Sequence, residues 1–343
     1  VTTTVELPAG LSVGRGGRTN LWTAVGSGVV IILLAYLPYA FTTSVTNTIV
    51  TFLELLAMST MWNLLAGYAG LVSVGQQAYV GLGAYAVLQL SDWGVSPYLG
   101  VFLAAIVCAV IALPTSLLAF RLRGDYFAVG TWVIAEVYHL MMQRASWLGG
   151  GSGRALTTLS DLDPVLRQAI TYWVALAAGA LCVLGAYLLL RSRLGLALTA
   201  VRDNEVAAGS VGVAVGRAKR IVYLVAAAGT GAAGGVILVS QLNVAPDSIF
   251  SVQWTAYMIF IVIVGGIGTL EGPVLGALIF VVMQQLFANS GVWYLILLGV
   301  LAIAAAIWLP SGLWGAVSQW TGARLFNVGY SVRGLAERKV KRT

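Results

Sequence analysis

The chain has 343 residues, 59% of them apolar and only 9% charged, against roughly 25% charged in an average soluble domain. Too few polar side chains are present to coat a single water-exposed core, so a soluble globular domain is excluded and the chain is read as living in lipid. The net charge of +7 does not point to nucleic acid, because the basic residues cluster between and after apolar runs, where they act as topology signals.

At roughly 20 residues per crossing, about ten helical spans fit the length. The apolar runs are continuous instead of alternating, which favours an all-α polytopic transmembrane helix bundle over a barrel. Residues 1–22 read as a cytoplasmic N-terminal tail with Arg15 and Arg18, residues 23–310 as the membrane domain, and residues 311–343 as a basic cytoplasmic C-terminal tail. Cys108 and Cys182 fall inside apolar runs, where a thiol behaves as a small apolar side chain, so both are expected to be free.

The first apolar run, Ala24 to Thr43, is long enough to span and is not followed by a convincing cleavage site. The second, about Thr48 to Ala66, carries Glu54. A carboxyl at a helix centre costs about 2.5–3.5 kcal/mol on insertion scales, so Glu54 must face protein, a wet cavity or the interface. Two readings stand: an interhelical hydrogen-bonding group, or a functional one.

From Asn63 to Ala86 the pattern breaks. Gly67, Gly70 and Gly75 interrupt the apolar run, and Ser73, Gln76 and Gln77 enter at membrane depth. Irregular backbone there survives only where protein or a water-filled cavity satisfies it. Close packing of small residues explains the glycines as well as pathway lining does.

A span at about 98–120 ends in the turn Arg121-Leu-Arg-Gly-Asp125, and the next helix, about 126–143, carries Glu136, His139 and Gln143 on one face. That stripe fits either a solute route or hydrogen bonding between helices, and it holds too few ligands for a metal site. Residues 147–167 form a polar outer loop, and 168–190 return inward.

Arg191 to Arg220 is the one long polar island, with six cations and two acids. The cation excess assigns it to the cytoplasm. Asp203 or Asn204 can cap a short helix running from Glu205 to about Val211, with Gly212 as its stop. A capped exposed helix offers a rigid knob to a partner; an ordinary charged loop is the alternative. Beyond it, 221–242 spans outward, about 251–264 comes in, and Gly265, Gly266 and Gly268 open a second glycine-broken segment with Glu271. Gly67-x-x-Gly70 and Gly265-x-x-Gly268 are candidates for corresponding parts of a parallel repeat. Asn289-Ser290-Gly291 divides the remaining apolar stretch into two helices. Sixteen of the 19 Lys and Arg then lie on inner segments, with both termini inside.

No phosphate-cradling G-x-x-x-x-G-K-[ST] loop, catalytic triad or Cys/His cluster occurs, so no catalytic residue, metal site or cofactor is expected in this chain. The stretches Gly67 to Ala86, Arg121 to Val137, Ser192 to Val213 and Val264 to Ala277 resemble the motifs of the branched-chain amino acid ABC transporter permeases, and RGDYFA at 123–128 is similar to the LivM type in particular. The resemblance implies a non-enzymatic permease of a bacterial cytoplasmic (inner) membrane importer. Its partners would be a LivH-type permease, two cytosolic ATPases of LivG and LivF type that hold ATP and Mg, an extracytoplasmic solute-binding protein and membrane lipids, with no nucleic acid. It also implies an ATPase-coupling role for Arg202, Asp203, Asn204, Glu205, Ala207, Ala208 and Gly212. Gln76-Gln77 and Gly149 to Gly153 depart from the family pattern, so urea, amides and aromatic acids stand beside hydrophobic amino acids as solutes. An ion-coupled transporter or channel using Glu54, Glu136 and His139 is the reading from a different class.

Overall fold

The computed structural model describes residues 41–122, 124–287, 292–309 and 311–321, with short pieces at 12–14, 26, 28, 32–39 and 331–333. The helices are α1 (Thr43–Asn63), α2 (Gln77–Asp92), α3 (Pro97–Ala119), α4 (Asp125–Arg144), α5 (Pro164–Arg191), α6 (Arg193–Asp203), α7 (Glu205–Ser210), α8 (Val215–Gln241), α9 (Pro246–Ile249), α10 (Val252–Gly265), α11 (Gly272–Phe287), α12 (Val292–Trp308) and α13 (Gly312–Thr321). Among the described residues there are also two short antiparallel pairs: β1 (Ser12–Gly14) with β4 (Ser331–Arg333), and β2 (Arg154–Ala155) with β3 (Asn243–Val244).

The all-α bundle expected from composition is present. Its centre is α8, which packs against α1, α2, α3 and α5. Small residues allow this: a Cβ on Gly83 would lie 2.0 Å from the Gly231 carbonyl oxygen, and one on Gly234 would lie 2.0 Å from that of Val80. Without a hydrophobic force between helices in lipid, such close backbone approach supplies the dispersion contacts that hold the pair. Tyr79 donates to the Tyr223 hydroxyl across the same seam at 3.1 Å. Cys108 and Cys182 are free and buried, as expected.

Among the described residues, five helical stretches are long and apolar enough to cross a membrane: Thr43–Tyr68, Pro97–Ala119, Pro164–Arg191, Val215–Gln241 and Pro246–Gly265. A sixth arises if the bent pair Ile296–Trp308 and Gly312–Trp320 forms one span. The expectation of about ten crossings rests on counting apolar runs, not on the lengths of the helices in them. Helices α2 and α11 have 16 residues each and begin only after an irregular stretch. Most of the first expected run is described only at 26, 28, 32–39 and 41–43, where Tyr172 on α5 donates to the Leu34 carbonyl at 2.7 Å. Asn289-Ser290-Gly291 and the basic residues Arg338 to Arg342 lie outside the described residues.

The structure adds detail at two boundaries. Within the island, α8 starts at Val215 and carries Arg217, Lys219 and Arg220 on its first turns. The expected tail begins as a packed element, since α13 lies against α10 and α11 and a Cβ on Gly312 would meet the Gly266 Cα at 2.3 Å.

At the end of the bundle away from the island, Asp163 caps α5 by accepting from the Val165 and Leu166 amides at 2.7 and 3.3 Å, with Pro164 at the first helical position. Arg154 donates to both carboxylate oxygens of Asp92 at 2.6 and 2.8 Å, fixing the β2–β3 pair to the end of α2.

Candidate functional site

The first glycine-broken segment is neither a helix nor a simple turn. Helix α1 runs into one π-helical turn, Leu64–Tyr68, then Gly70 takes a left-handed φ of +68° and residues 69–76 run without regular structure to α2. Several backbone groups there find protein partners. Trp62 Nε1 donates to the Ser73 carbonyl at 2.8 Å, the Val74 amide donates to Thr131 Oγ1 at 3.2 Å, and the Gln77 amide donates to Thr255 Oγ1 at 3.1 Å. Gly75 is required by space: a Cβ would lie 2.0 Å from the Thr131 carbonyl oxygen. The irregular backbone is therefore tolerated because three neighbouring helices satisfy it.

The second segment is tighter. Gly266 and Gly268 have φ of +133° and +74°, and Thr269 closes the turn by donating to the Gly266 carbonyl at 2.7 Å and accepting from the Gly272 amide at 3.1 Å. The two segments meet through Asn63. Its amide nitrogen donates to the Thr269 carbonyl at 2.7 Å, and its oxygen accepts from the Gly268 amide at 2.9 Å. A Cβ on Gly67 would fall 2.5 Å from the Gly268 nitrogen, so only glycine admits this approach.

The island reaches the same junction. Ser192 caps α6 by accepting from the Leu194 amide at 3.1 Å, and Asn204 caps α7 by accepting from the Ala207 amide at 2.9 Å. Gly212, at φ +87°, follows the end of α7 as expected. Ala208 packs inward, while Asp203, Asn204, Glu205, Ala207 and Gly212 face outward, with Val206 and Val211 left 83% and 79% exposed. Lys219 on α8 donates to Glu205 at 2.6 Å and holds α7 in place. Arg202 departs from its neighbours: its Nη1 donates to the Gly67 carbonyl at 2.9 Å, while Nε and Nη2 both reach Asp203 Oδ1 at 3.2 Å. Glu271 is buried at the second turn.

Ser73, Gln76 and Gln77 are buried between helices. Gln77 Oε1 accepts from Thr255, and Gln76 Oε1 accepts from Thr230 at 3.3 Å. The Gln76 amide nitrogen and the Thr60 hydroxyl are buried without a protein partner among the described residues. Burying an unpaired donor costs about 1–3 kcal/mol on mutational scales, which water or a solute relieves.

The polar groups of the ion-coupled alternative divide into two separate sets. Glu54 is buried on α1 and accepts from Ser240 Oγ on α8 at 2.9 Å, the interhelical reading. Glu136 and His139 lie on α4 with Gln143, joined to Asp247 on α9. The His139 ring nitrogens are 3.0 Å from Glu136 Oε1 and 3.0 Å from Asp247 Oδ1, and Gln143 donates to Asp247 at 2.6 Å. Phe250 stacks on the His139 ring at a centroid distance of 5.8 Å.

Sequence reasoning missed Asn63, Thr131, Thr255, Thr269 and Asp247 as structural partners. Asn63 carried a usable signal, an amide at the end of an apolar run immediately before the glycines. Thr131 and Thr255 carried none, because threonine is common in membrane helices and the backbone groups they meet lie 57 and 178 positions away.

Comparison with known proteins fits this architecture. The model of the family described as branched-chain amino acid transport system / permease component matches residues 44–306. The chain is 29% identical over 278 residues to the high-affinity branched-chain amino acid transport system permease protein LivM of Salmonella typhimurium, and 28% identical over 278 residues to that of Escherichia coli. Each of these matches covers 73% of this chain and 65% of the relative. A probable branched-chain amino acid transport permease protein LivM of Methanocaldococcus jannaschii is 26% identical over 228 residues, covering 62% of this chain and 65% of that one. The chain thus spans about two thirds of the length of the curated relatives it matches, just under that fraction at 65%. No solved structure matches. With the family model covering both glycine-broken segments and the capped island helix, the chain belongs to the branched-chain amino acid transport system permease family.

Proposed function

We propose that this chain is one of two permease subunits of an ATP-driven importer in a bacterial cytoplasmic membrane, carrying branched-chain or other hydrophobic amino acids. It is not itself an enzyme. A LivH-type permease supplies the other half of the pathway, two cytosolic ATPases of LivG and LivF type bind ATP and Mg, and an extracytoplasmic binding protein delivers solute. About ten crossings with both termini cytoplasmic complete the reading, four or more of them assigned to broken or partly described stretches.

One observation carries it. Helix α7 is short, capped, pinned by Lys219 and directed away from the bundle, with two exposed valines and a physical link through Arg202 to the glycine-broken segments. An isolated six-residue helix has little stability of its own, so its rigidity serves a contact. Closure of the ATPases moves the knob, and the knob moves the spans on either side. The amide nitrogen of Gln76, buried without a protein partner among the described residues, supports solute passage along the first broken segment.

The test is Val206→Asp in the reconstituted complex. The expected outcome is a folded, assembled permease whose solute-stimulated ATP hydrolysis falls about ten-fold, the size of a typical coupling free energy. Wild-type stimulation in that variant, or full transport by a preparation lacking any ATPase subunit, refutes the reading.

A further inference from the structure

Asn63 and Arg202 make hydrogen bonds that an exposed knob beside a membrane bundle does not require. Asn63 is 1% exposed and uses both halves of its amide on the second segment, bridging residues 205 and 206 positions away. The amide donates to the Thr269 carbonyl and accepts from the Gly268 amide through two separate atoms; aspartate lacks the donor and leucine lacks both. Arg202, the last cation before the capped helix, donates to the Gly67 carbonyl, one of the orphan acceptors where the helical run of α1 ends. Gly67 touches both partners: its ideal Cβ would lie 2.3 Å from Asn63 Oδ1 and 2.5 Å from the Gly268 nitrogen. A path of hydrogen bonds and close backbone contact therefore runs from α6 through Arg202 and Gly67 to Asn63, Gly268 and the turn before α11.

We propose that Asn63 and Arg202 are positioning residues that clamp the two glycine-broken segments to the island helices, so that all three move as one body when the island is displaced. The inference rests on the importer reading for its moving part, but the clamp itself is a separate claim. Neither residue touches solute. Their loss should leave ATP hydrolysis running while less solute moves per ATP, because the island then shifts without carrying the segments.

The experiment uses the complete transporter in proteoliposomes with its own binding protein, comparing wild type with Asn63→Leu, Asn63→Asp, Arg202→Leu and Arg202→Lys. Two quantities are read: solute taken up per ATP hydrolysed, and backbone hydrogen exchange over 264–272. Asn63→Leu and Arg202→Leu should each lower uptake per ATP about ten-fold, and together no further, as expected of two residues in one device. Arg202→Lys, which still reaches the Gly67 carbonyl, should recover part of the ratio. Asn63→Asp keeps the acceptor and should fall between wild type and leucine; it also carries the test if the leucine variant does not assemble. Exchange over 264–272 should rise in the Asn63 variants while that of α5 stays unchanged. Faster exchange with an unaltered ratio overturns the transmission role, and unaltered exchange overturns the clamp. Should the wild type transport without ATP, the importer reading fails, and the exchange measurement still decides whether the clamp exists.

Discussion

The two glycine-broken segments share one local device and differ in how it is held. In each, the second glycine of a Gly-x-x-Gly sequence is left-handed, Gly70 at +68° and Gly268 at +74°, and each is followed by a 16-residue helix. This likeness supports treating them as corresponding parts of a repeat. The first segment, however, hangs on side chains from other elements, with Trp62, Thr131 and Thr255 each satisfying a different backbone group. The second is closed mainly by its own Thr269 and tied outward by Asn63. A backbone fixed from three sides resists rearrangement, whereas one closed on itself can travel as a unit if its external tie moves. Within the clamped body, the first segment is then the anchor that joins it to the neighbouring helices, and the second is the part carried through Asn63.

The largest expected effect comes from breaking the anchor. In Gly75→Ala the new methyl meets the Thr131 backbone oxygen at 2.0 Å, and neither partner is the flexible end of a side chain. Overpacking of this kind costs about 3 kcal/mol, at the upper end of the usual range. The expected result is a clear drop in the thermal unfolding midpoint of the detergent-solubilised chain. A variant as stable as wild type would mean that α4 is free to slide away from the segment, and the anchor would lose its meaning.

The repeat is sharpened by a matched pair. Gly70→Ala and Gly268→Ala each place a Cβ at positive φ, costing about 1–2 kcal/mol. Each also has a neighbour at 3.2 Å, Arg202 Cγ for Gly70 and the Gly67 carbonyl for Gly268. Their unfolding midpoints should therefore fall by similar amounts. If only one substitution is costly, the left-handed glycines are not equivalent and the correspondence between the segments is lost.

Much of this was legible in the sequence, for reasons that separate local from long-range information. Asn204 followed by Glu205, and Gly212 after a short run, specify a capped helix from neighbouring residues alone, and that helix is present. Glycines in an apolar run likewise mark a break without reference to anything distant. What could not be read was what the breaks hold on to. Asn63 finds Thr269 across 206 positions, and Arg202 turns inward to Gly67 across 135, pairings that exist only once α1, α6 and α10 are packed. Arg202 was grouped with the outward-facing island residues because charge predicts side, not direction. Span boundaries are hard to read for a related reason: hydropathy sees apolar length and cannot tell a full helix from an irregular stretch followed by a 16-residue one.

The smallest expected effect isolates the second segment. Thr269→Val keeps the side-chain shape and removes the hydroxyl that bonds the Gly266 carbonyl and receives the Gly272 amide at the start of α11. Loss of such a cap costs about 1 kcal/mol. The Thr269 carbonyl that receives Asn63 belongs to the backbone and survives the substitution. Hydrogen exchange should therefore rise at the first turn of α11 and stay at the wild-type level over 69–77, where the hydroxyl makes no bond. Increased exchange over 69–77 would show that the two segments loosen together, and the division into anchor and carried part would give way to a single hinge shared between them.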